Sequence, residues 1–519
     1  MNALDEATRS LWMNVAVAPD APRLSRNEKA DVCIIGSGIA GLSVAYELVG
    51  AGLDVVVLDR GAMAGGMSAR TSAHLTSMTD DTFKSLKRMR GVDGAKTFYQ
   101  SHAAAIARIE QIQANEGISC NFRRLNGYLF LAPNMTRQEL DEEYDATREA
   151  GMPVKKQKGV PFAGEENSAA LVYPDQAAFH PLRYLKGIAD SATKRGARLY
   201  ANSAVVSVEE RNGAVTVVTE DGLQVSAANV VVASNAPVSN LFDLHSKQAP
   251  YRTYVMVMTI PRDTIEDALY WDTLDPYHYV RLERGPGNTD YLLVGGADHK
   301  SGEADDAGAR FDALEAWMRA RLPDLGKVTH RWSGQVLDPI DLAAFSGRNP
   351  GDEHVFVHTG DSGQGLTHGV IGSLLISRLI LTGKADWEEF YAPGRKTVSA
   401  VKNFITENIA AIKSFAEYVA PGELCSVDEL KPGQGAIVRE GLSKIAAYRD
   451  EDGMLHRRSA VCSHLGCHIH WNSFETCWDC PCHGSQFSVD GAVLNAPALH
   501  PLEEIEAKEK GDAKLRRAG

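Results

Sequence analysis

From Asp31 the chain runs through an uninterrupted apolar stretch, Val32-Cys33-Ile34-Ile35, the pattern of a strand buried on both faces. Gly36-Ser37-Gly38-Ile39-Ala40-Gly41 follows, and then a segment with apolar residues at Leu42, Ala45, Leu48 and Val49, the spacing of a helix that Gly52 closes. Asp54 to Leu58 repeats the buried-strand pattern, so the chain opens on a β-α-β unit. Arg198 to Glu209 and Ala227 to Ala233 read as further strands. Val355 to Thr359 leads through a glycine-rich loop into an apolar helix from about Val370 to Leu381. These pieces predict an α/β domain whose parts recur along the chain.

Between them lie helical stretches, Asp81 to Glu116 and Thr136 to Ala150, and alternating strands, Arg252 to Ile260, Tyr277 to Glu283 and Tyr291 to Val294. An inserted α+β domain is expected. The first domain is then discontinuous, covering 1–81, 166–244 and 329–393, with the insert at 82–165 and 245–328. A basic, helix-favouring segment, Arg395 to Tyr418, ends at Pro421-Gly422 and predicts a connecting helix over 394–422. From 423 to 519, short strands with turn signals at Asp450 to Gly453, Asp490-Gly491 and around Pro497 predict a small all-β domain.

Composition narrows the class. A length of 519 residues exceeds one ordinary core, and 44% hydrophobic with 23% charged residues is globular in character. The net charge of −13 argues against nucleic acid as a partner, because phosphate binding needs a basic surface. Met1 to Asp20 has no basic n-region followed by an apolar stretch, so no cleaved signal is expected. Ser373, Ser377 and Arg378 interrupt the longest apolar region, so no transmembrane segment is expected either. A cytoplasmic location follows, with room for peripheral contact at a membrane.

Of the 8 cysteines, Cys33, Cys120 and Cys425 stand apart, whereas Cys462, Cys467, Cys477, Cys480 and Cys482 crowd together, which points to metal ligation. Cys462-Ser463-His464-Leu465-Gly466-Cys467 and Cys480-Pro481-Cys482-His483-Gly484-Ser485 carry a Cys-x-His and a Cys-x-x-His pair. This resembles the Rieske signature. The resemblance implies a [2Fe-2S] cluster with Cys462 and Cys480 on one iron and His464 and His483 on the other. Neutral imidazoles lower the cluster's negative charge and lift its potential to roughly −150 to +300 mV. The alternative, a zinc ribbon, commonly keeps a two-residue spacing in both loops, and Cys462-x-His464 departs from it. The resemblance further implies a Cys467–Cys482 disulfide and a Ser485 hydroxyl on a cluster sulfur. At Phe487 high-potential relatives often place a Tyr, so one potential-raising hydrogen bond is missing. Cys477, His468 and His470 match no ligand position and are expected to be structural.

The first glycine motif lies between a strand and a helix, the context of a dinucleotide site. Gly36 permits the turn, Gly38 lets a pyrophosphate approach, and Gly41 lets helix and strand pack closely, with the phosphates on the helix N-terminus flanked by Ser37, Ile39 and Ala40. Asp59, with Arg60 after it, ends the second strand where a ribose would be bound. By itself this serves NAD or FAD. Three later segments favour FAD. Gly65-Gly66-Met67-Ser68-Ala69-Arg70-Thr71-Ser72 resembles the flavin-contacting loop of the D-amino-acid oxidase family, which includes sarcosine and glycine oxidases. Contacts from Gly66, Met67, Ser68, Thr71 and Ser72 are implied. Val230 to Ala236 resembles the family strand that ends beside the cofactor, at Ala233, and Val205 lies where the backbone meets adenine. Thr359 to Gly369 resembles the family's C-terminal loop, so Gly363, Gln364, Gly365, Leu366 and Thr367 are expected to face the isoalloxazine, whose reduced anion a positive helix end stabilises. The resemblance implies a Rossmann-type FAD-binding domain with an inserted substrate domain.

Reduced FAD holds two electrons and a Rieske cluster takes one, so the combination implies a dehydrogenase that oxidises an amine or amino acid and passes electrons singly to an external acceptor such as a quinone, cytochrome or ferredoxin-like protein. The alternative is a reductase-type electron-transfer protein serving an oxygenase or redox chain. A second dinucleotide motif for NADH and the His/carboxylate pattern of a mononuclear iron site are both missing from the sequence. Family chemistry needs positioning more than a base, so no catalytic residue is assigned. Arg281 lies where some relatives bind a carboxylate; His74, Lys300, Gln335 and Trp332 are further pocket candidates. Arg70 stands where some relatives carry a flavin-linked His, so covalent attachment there is not expected.

Overall fold

The computed structural model describes residues 1–519 except 134, 163, 239–241, 397–422, 425, 442 and 507–519. The expected connecting helix, 394–422, lies almost wholly outside the described residues.

The buried-strand segments form the centre of the first sheet. Its order is Phe345–Arg348, Val355–Thr359, Gln224–Val232, Glu28–Ile35, Val55–Leu58 and Arg198–Tyr200, and a hairpin of Val205–Arg211 and Ala214–Thr219 extends from Gln224–Val232. The four central pairings are parallel. Strands covered by layers on both faces need apolar residues at successive positions, and Val32, Cys33, Ile34, Val55, Val56 and Val57 are all fully buried. The expected single strand from Arg198 to Glu209 is broken. Asn202 takes a left-handed φ of 49°, and the amides of Asn202 and Ser203 turn to the carbonyls of Gly61 and Asp59. Those backbone groups leave the ladder, so the chain restarts at Val205.

A second sheet has the order Val328–Pro339, Gln248–Pro261, Thr289–Lys300, Tyr279–Arg284, Leu269–Asp272, Arg123–Phe130, Ala169–Ala178 and His74–Leu75, with Lys155–Lys158 paired to Ala169–Ala178. It therefore includes strands that the expected boundaries at 165/166 and 328/329 leave in the first domain. Gln248–Pro261 and Val328–Pro339 stay in continuous antiparallel pairing across that boundary, which composition does not mark. The long helix Phe83–Asn115 is kinked at Gly91, where φ is 73°. Helix Gly365–Thr382, with the turn before it, is long and apolar enough to span a membrane by length and composition alone; 67% of that apolar window is buried inside the protein.

The C-terminal unit is two small antiparallel sheets. One comprises Gln434–Glu440, Ser443–Arg449 and Leu455–Ser459; the other His470–Asn472, Cys477–Asp479, Gln486–Phe487 and Val493–Asn495. Trp478, Phe487 and Ile469 are fully buried between them.

Candidate flavin and iron-sulfur site

A cavity of about 830 Å³ opens at the carboxyl ends of the parallel strands, the usual ligand position in such sheets. All the expected cofactor contacts line it except Gly41 and Thr367. Gly41 acts one layer below: a Cβ there would lie 1.9 Å from the Gly36 carbonyl oxygen, so only glycine lets the first helix cross the turn. Thr367 donates to the Gln364 carbonyl inside its own helix and is buried. Gly36 has φ 99°, and a Cβ on it would meet the Ala233 carbonyl at 2.4 Å. Asp59 holds the turn by accepting from the Ser37 amide at 2.9 Å and the Ser37 hydroxyl at 2.5 Å. Ser68 accepts from the Ile39 amide at 3.0 Å, tying the second loop to the helix N-terminus. This cradle of glycines, a helix N-terminus and one carboxylate fits the diphosphate and ribose of a dinucleotide.

The pocket candidates divide. His74 and Gln335 line the cavity. Burial, and the Arg281 charge after it, hold His74 at a pKa of about 3, so it is neutral at ordinary pH. Arg281 does not line the cavity. It is fully buried, donates to the Ala73 carbonyl at 2.5 Å and the Leu282 carbonyl at 3.1 Å, and pairs with Glu283. Its guanidinium is a brace between strands, with no face left for a substrate carboxylate. Lys300 is also off the cavity wall, with Nζ 6.0 Å from the centre of the Tyr251 ring. Trp332 is a core residue that donates to the Arg70 carbonyl at 2.8 Å.

The sequence did not single out the acidic part of the cavity. Asp80, Asp81, Asp275, Asp298 and Asp338 line one lobe together with Trp271, Tyr277 and Tyr279. Burial raises Asp80 to about 6, and Asp81 and Asp298 to about 7.

In the C-terminal unit the two Cys/His loops come together. The rings of His464 and His483 lie 5.2 Å apart, edge to face. Cys462 and Cys480 are buried beside one another; the Cys480 thiol is the main influence lowering Cys462, helped by the His464 amide and the Ser485 hydroxyl. Ser485 also accepts from the Ala498 amide at 3.0 Å. His483 Nδ1 is buried and bonds nothing in the protein, an orphan nitrogen that suits a metal ligand. The sulfurs of Cys467, Cys480 and Cys482 are within 4.8 Å of one another, but Cys467 and Cys482 are joined in a disulfide and cannot act as thiolates. Cys477 and His468 are also buried.

The cluster loops are docked against the flavin-type domain. His245, from the helix Phe242–His245, sets its ring 5.0 Å from that of His464 and 6.0 Å from that of His483. Leu494, Asn495 and Ala496 of the C-terminal unit form part of the cavity wall, and Arg60 donates to the Val493 carbonyl at 2.9 Å. A buried charge cluster seals the junction. Arg252 pairs with Asp479 at 2.8 Å, and Arg70 pairs with Glu6 at 2.8 Å and Glu475 at 3.0 Å.

A family model described as FAD dependent oxidoreductase matches residues 31–379, and one described as Rieske [2Fe-2S] domain matches residues 421–506. The chain belongs to the FAD dependent oxidoreductase family. This FAD dependent oxidoreductase carries a Rieske domain, and its cofactors are FAD and a [2Fe-2S] cluster. It is 27% identical over 504 residues to a putative Rieske 2Fe-2S iron-sulfur protein, YhfW, of Bacillus subtilis, covering 96% of this chain and 98% of that one. It is 27% identical over 394 residues to the gamma-glutamylputrescine oxidoreductase of Escherichia coli, covering 71% and 87%. Among solved structures, glycine oxidase from Geobacillus kaustophilus superposes with a TM-score of 0.60 at 18% identity, covering 71% of this chain and 100% of that one.

Proposed function

We propose that this chain is a dehydrogenase that oxidises an amine or amino-acid-type substrate at a C–N bond and sends the electrons singly through the Rieske cluster to an external acceptor. The observation that carries this reading is the shared wall. Residues of the Rieske domain line the cavity, and Gln335, also on that wall, lies against Gly484, the neighbour of His483; a Cβ on Gly484 would sit 3.0 Å from Gln335 Oε1. That contact supports a route from a two-electron site to a one-electron site through one side chain.

When bound, FAD supplies a hydride acceptor and the cluster a one-electron acceptor. The chain's own residues position the rest. Gly36, Gly38 and the helix end at Ile39 would receive the phosphates, Asp59 the ribose, and the Gly363–Leu366 turn the flavin ring. Cys462, His464, Cys480 and His483 hold the cluster, whose surroundings His245 and the Leu494–Ala496 wall keep dry. Neutral His74 adds no positive charge that would repel a substrate ammonium. The cytoplasm, with peripheral membrane contact if the acceptor is a quinone, suits such an enzyme.

Adding substrate anaerobically to the loaded protein bleaches the flavin absorption and brings up the reduced-cluster EPR signal. Cys480→Ser abolishes the second event and spares the first. Full turnover of that variant with an artificial quinone would make the cluster structural rather than an electron exit, and zinc without iron on elemental analysis would remove the cluster from the scheme.

A further inference from the structure

The acidic lobe is short of counter-charge. Asp80 and Asp81 precede the helix Phe83–Asn115, Asp275 lies in the turn before Tyr279–Arg284, and Asp298 and Asp338 come from two strands of the second sheet. Four of the five raise the pKa of others in the set: Asp80 and Asp275 act on Asp81, Asp80 and Asp275 on Asp298, and Asp81, Asp80 and Asp298 on Asp338. No ion pair joins any of the five to a basic side chain among the described residues. Arg310 acts on Asp298 from a distance, but its guanidinium is paired with Asp306 at 2.6 Å. The basic groups on the cavity wall stand elsewhere. Arg60 is bonded to Val493, Arg70 is in the domain junction, Lys84 pairs with Glu142, and Arg88 lies one turn beyond Lys84.

Two further observations indicate what belongs there. The Oδ1 atoms of Asp298 and Asp338 are buried and accept no hydrogen bond, a state that costs free energy until a donor arrives. Tyr277 and Tyr279 also lie close to Asp80 and Asp298, and aromatic rings attract ammonium groups. Carboxylates without cations, orphan acceptors and an aromatic wall are together complementary to positive charge. The cation that could have held a substrate carboxylate, Arg281, is consumed inside the fold.

We infer that the lobe is a specificity site for a di- or polyamine, whose reacting amine lies at the Gly363–Leu366 turn and whose second ammonium is held by Asp298, Asp338 and their aromatic neighbours. This inference rests on the amine reading above and narrows it. Asp80 spans the two regions, since a Cβ on Gly363 would sit 1.9 Å from Asp80 Oδ2. An α-amino acid has its carboxylate beside the reacting nitrogen and would place negative charge among these aspartates.

The test uses the holoprotein reduced beforehand with dithionite, so that ligands bind without turnover. Calorimetry compares 1,4-diaminobutane, spermidine, n-butylamine and sarcosine. The diamine is expected to bind at least tenfold more tightly than butylamine, and Asp298→Asn and Asp338→Asn, near-isosteric changes that remove an ionisable carboxyl, to bring it within threefold of butylamine. Equal binding of diamine and butylamine by the unaltered protein, or variants that keep the full preference, overturns the inference. The amine reading fails separately, if no amine or amino acid bleaches the oxidised flavin even though diamines bind the reduced protein.

Discussion

Gln335 and Asn495 belong to different domains, and the side-chain carbonyl of Gln335 accepts the side-chain amide of Asn495 at 2.7 Å. Both residues line the cavity, and Gln335 also touches the cluster loop at Gly484. Shortening Gln335 removes one interdomain hydrogen bond and the contact between cavity wall and cluster loop. Gln335→Ala is therefore expected to slow cluster reduction about tenfold relative to flavin bleaching, the rate equivalent of one hydrogen bond. Stopped-flow absorption resolves the two events; equal slowing of both would assign Gln335 to substrate handling instead.

Arg70 binds the domains together more strongly. It donates to the carbonyls of Ala3, Thr8 and Ser333 and pairs with Glu6 and Glu475, and all three charged side chains are buried. Removing the cation leaves Glu6 buried without its ion pair, and leaves Glu475 with hydrogen bonds from Thr8 and Ser333 but without the Arg70 charge. Arg70→Met should destabilise the protein by about 3–5 kcal/mol and make the Rieske domain separable by brief proteolysis. Denaturant titration checks the first outcome, and a loss below about 0.5 kcal/mol, the scale of ordinary surface changes, would remove Arg70 from this role.

The acidic lobe sets a pH dependence. Asp298 has a folded pKa near 7, raised by burial from 3.8. A raised acid favours the fold fully below its unfolded value and loses that contribution as pH rises through the folded one. Asp298→Asn, which stays neutral, should therefore gain stability relative to the parent between pH 4 and pH 7. Diamine binding has the opposite preference: it needs the carboxylates ionised, tightens as pH rises through 6 to 7, and releases protons. Calorimetry in buffers of different ionisation enthalpy measures that release.

The Cys467–Cys482 disulfide links the two cluster loops across a separation of 15 residues. Cys467→Ser with Cys482→Ser should cost about 3 kcal/mol, the loop-entropy value for that length, and leave the Rieske domain prone to lose iron. Iron retention through a thermal ramp reports it.

Ser485 points its hydroxyl at Cys462. Ser485→Ala removes a hydrogen bond that stabilises negative charge on the cluster, so its potential is expected to fall, while the EPR line shape of a His-ligated centre persists. Redox titration followed by EPR separates this from ligand loss.

The nucleotide cradle and the cluster loops were legible because their chemistry acts on consecutive residues. Gly36, Gly38 and Gly41 answer to the backbone of one turn, and Cys462-x-His464 with Cys480-x-x-His483 to the reach of two loops. For the same reason the expected contacts other than Gly41 and Thr367 line one cavity. Arg281 was misplaced because a lone strand arginine carries no mark of which way its guanidinium is spent; only packing shows it buried against Ala73 and Glu283.

The sequence by itself determined a parallel α/β core, a dinucleotide-type glycine turn and a two-Cys, two-His loop pair, since short-range spacing sufficed for each. Tertiary structure alone decided that Leu494–Ala496 wall the same cavity as Gly36, that Gln335 reaches the cluster loop, and that Asp80 and Asp338 share one lobe. Those residues lie more than a hundred positions apart, and their relation is created only when buried apolar faces dock and leave the polar groups between them to find partners.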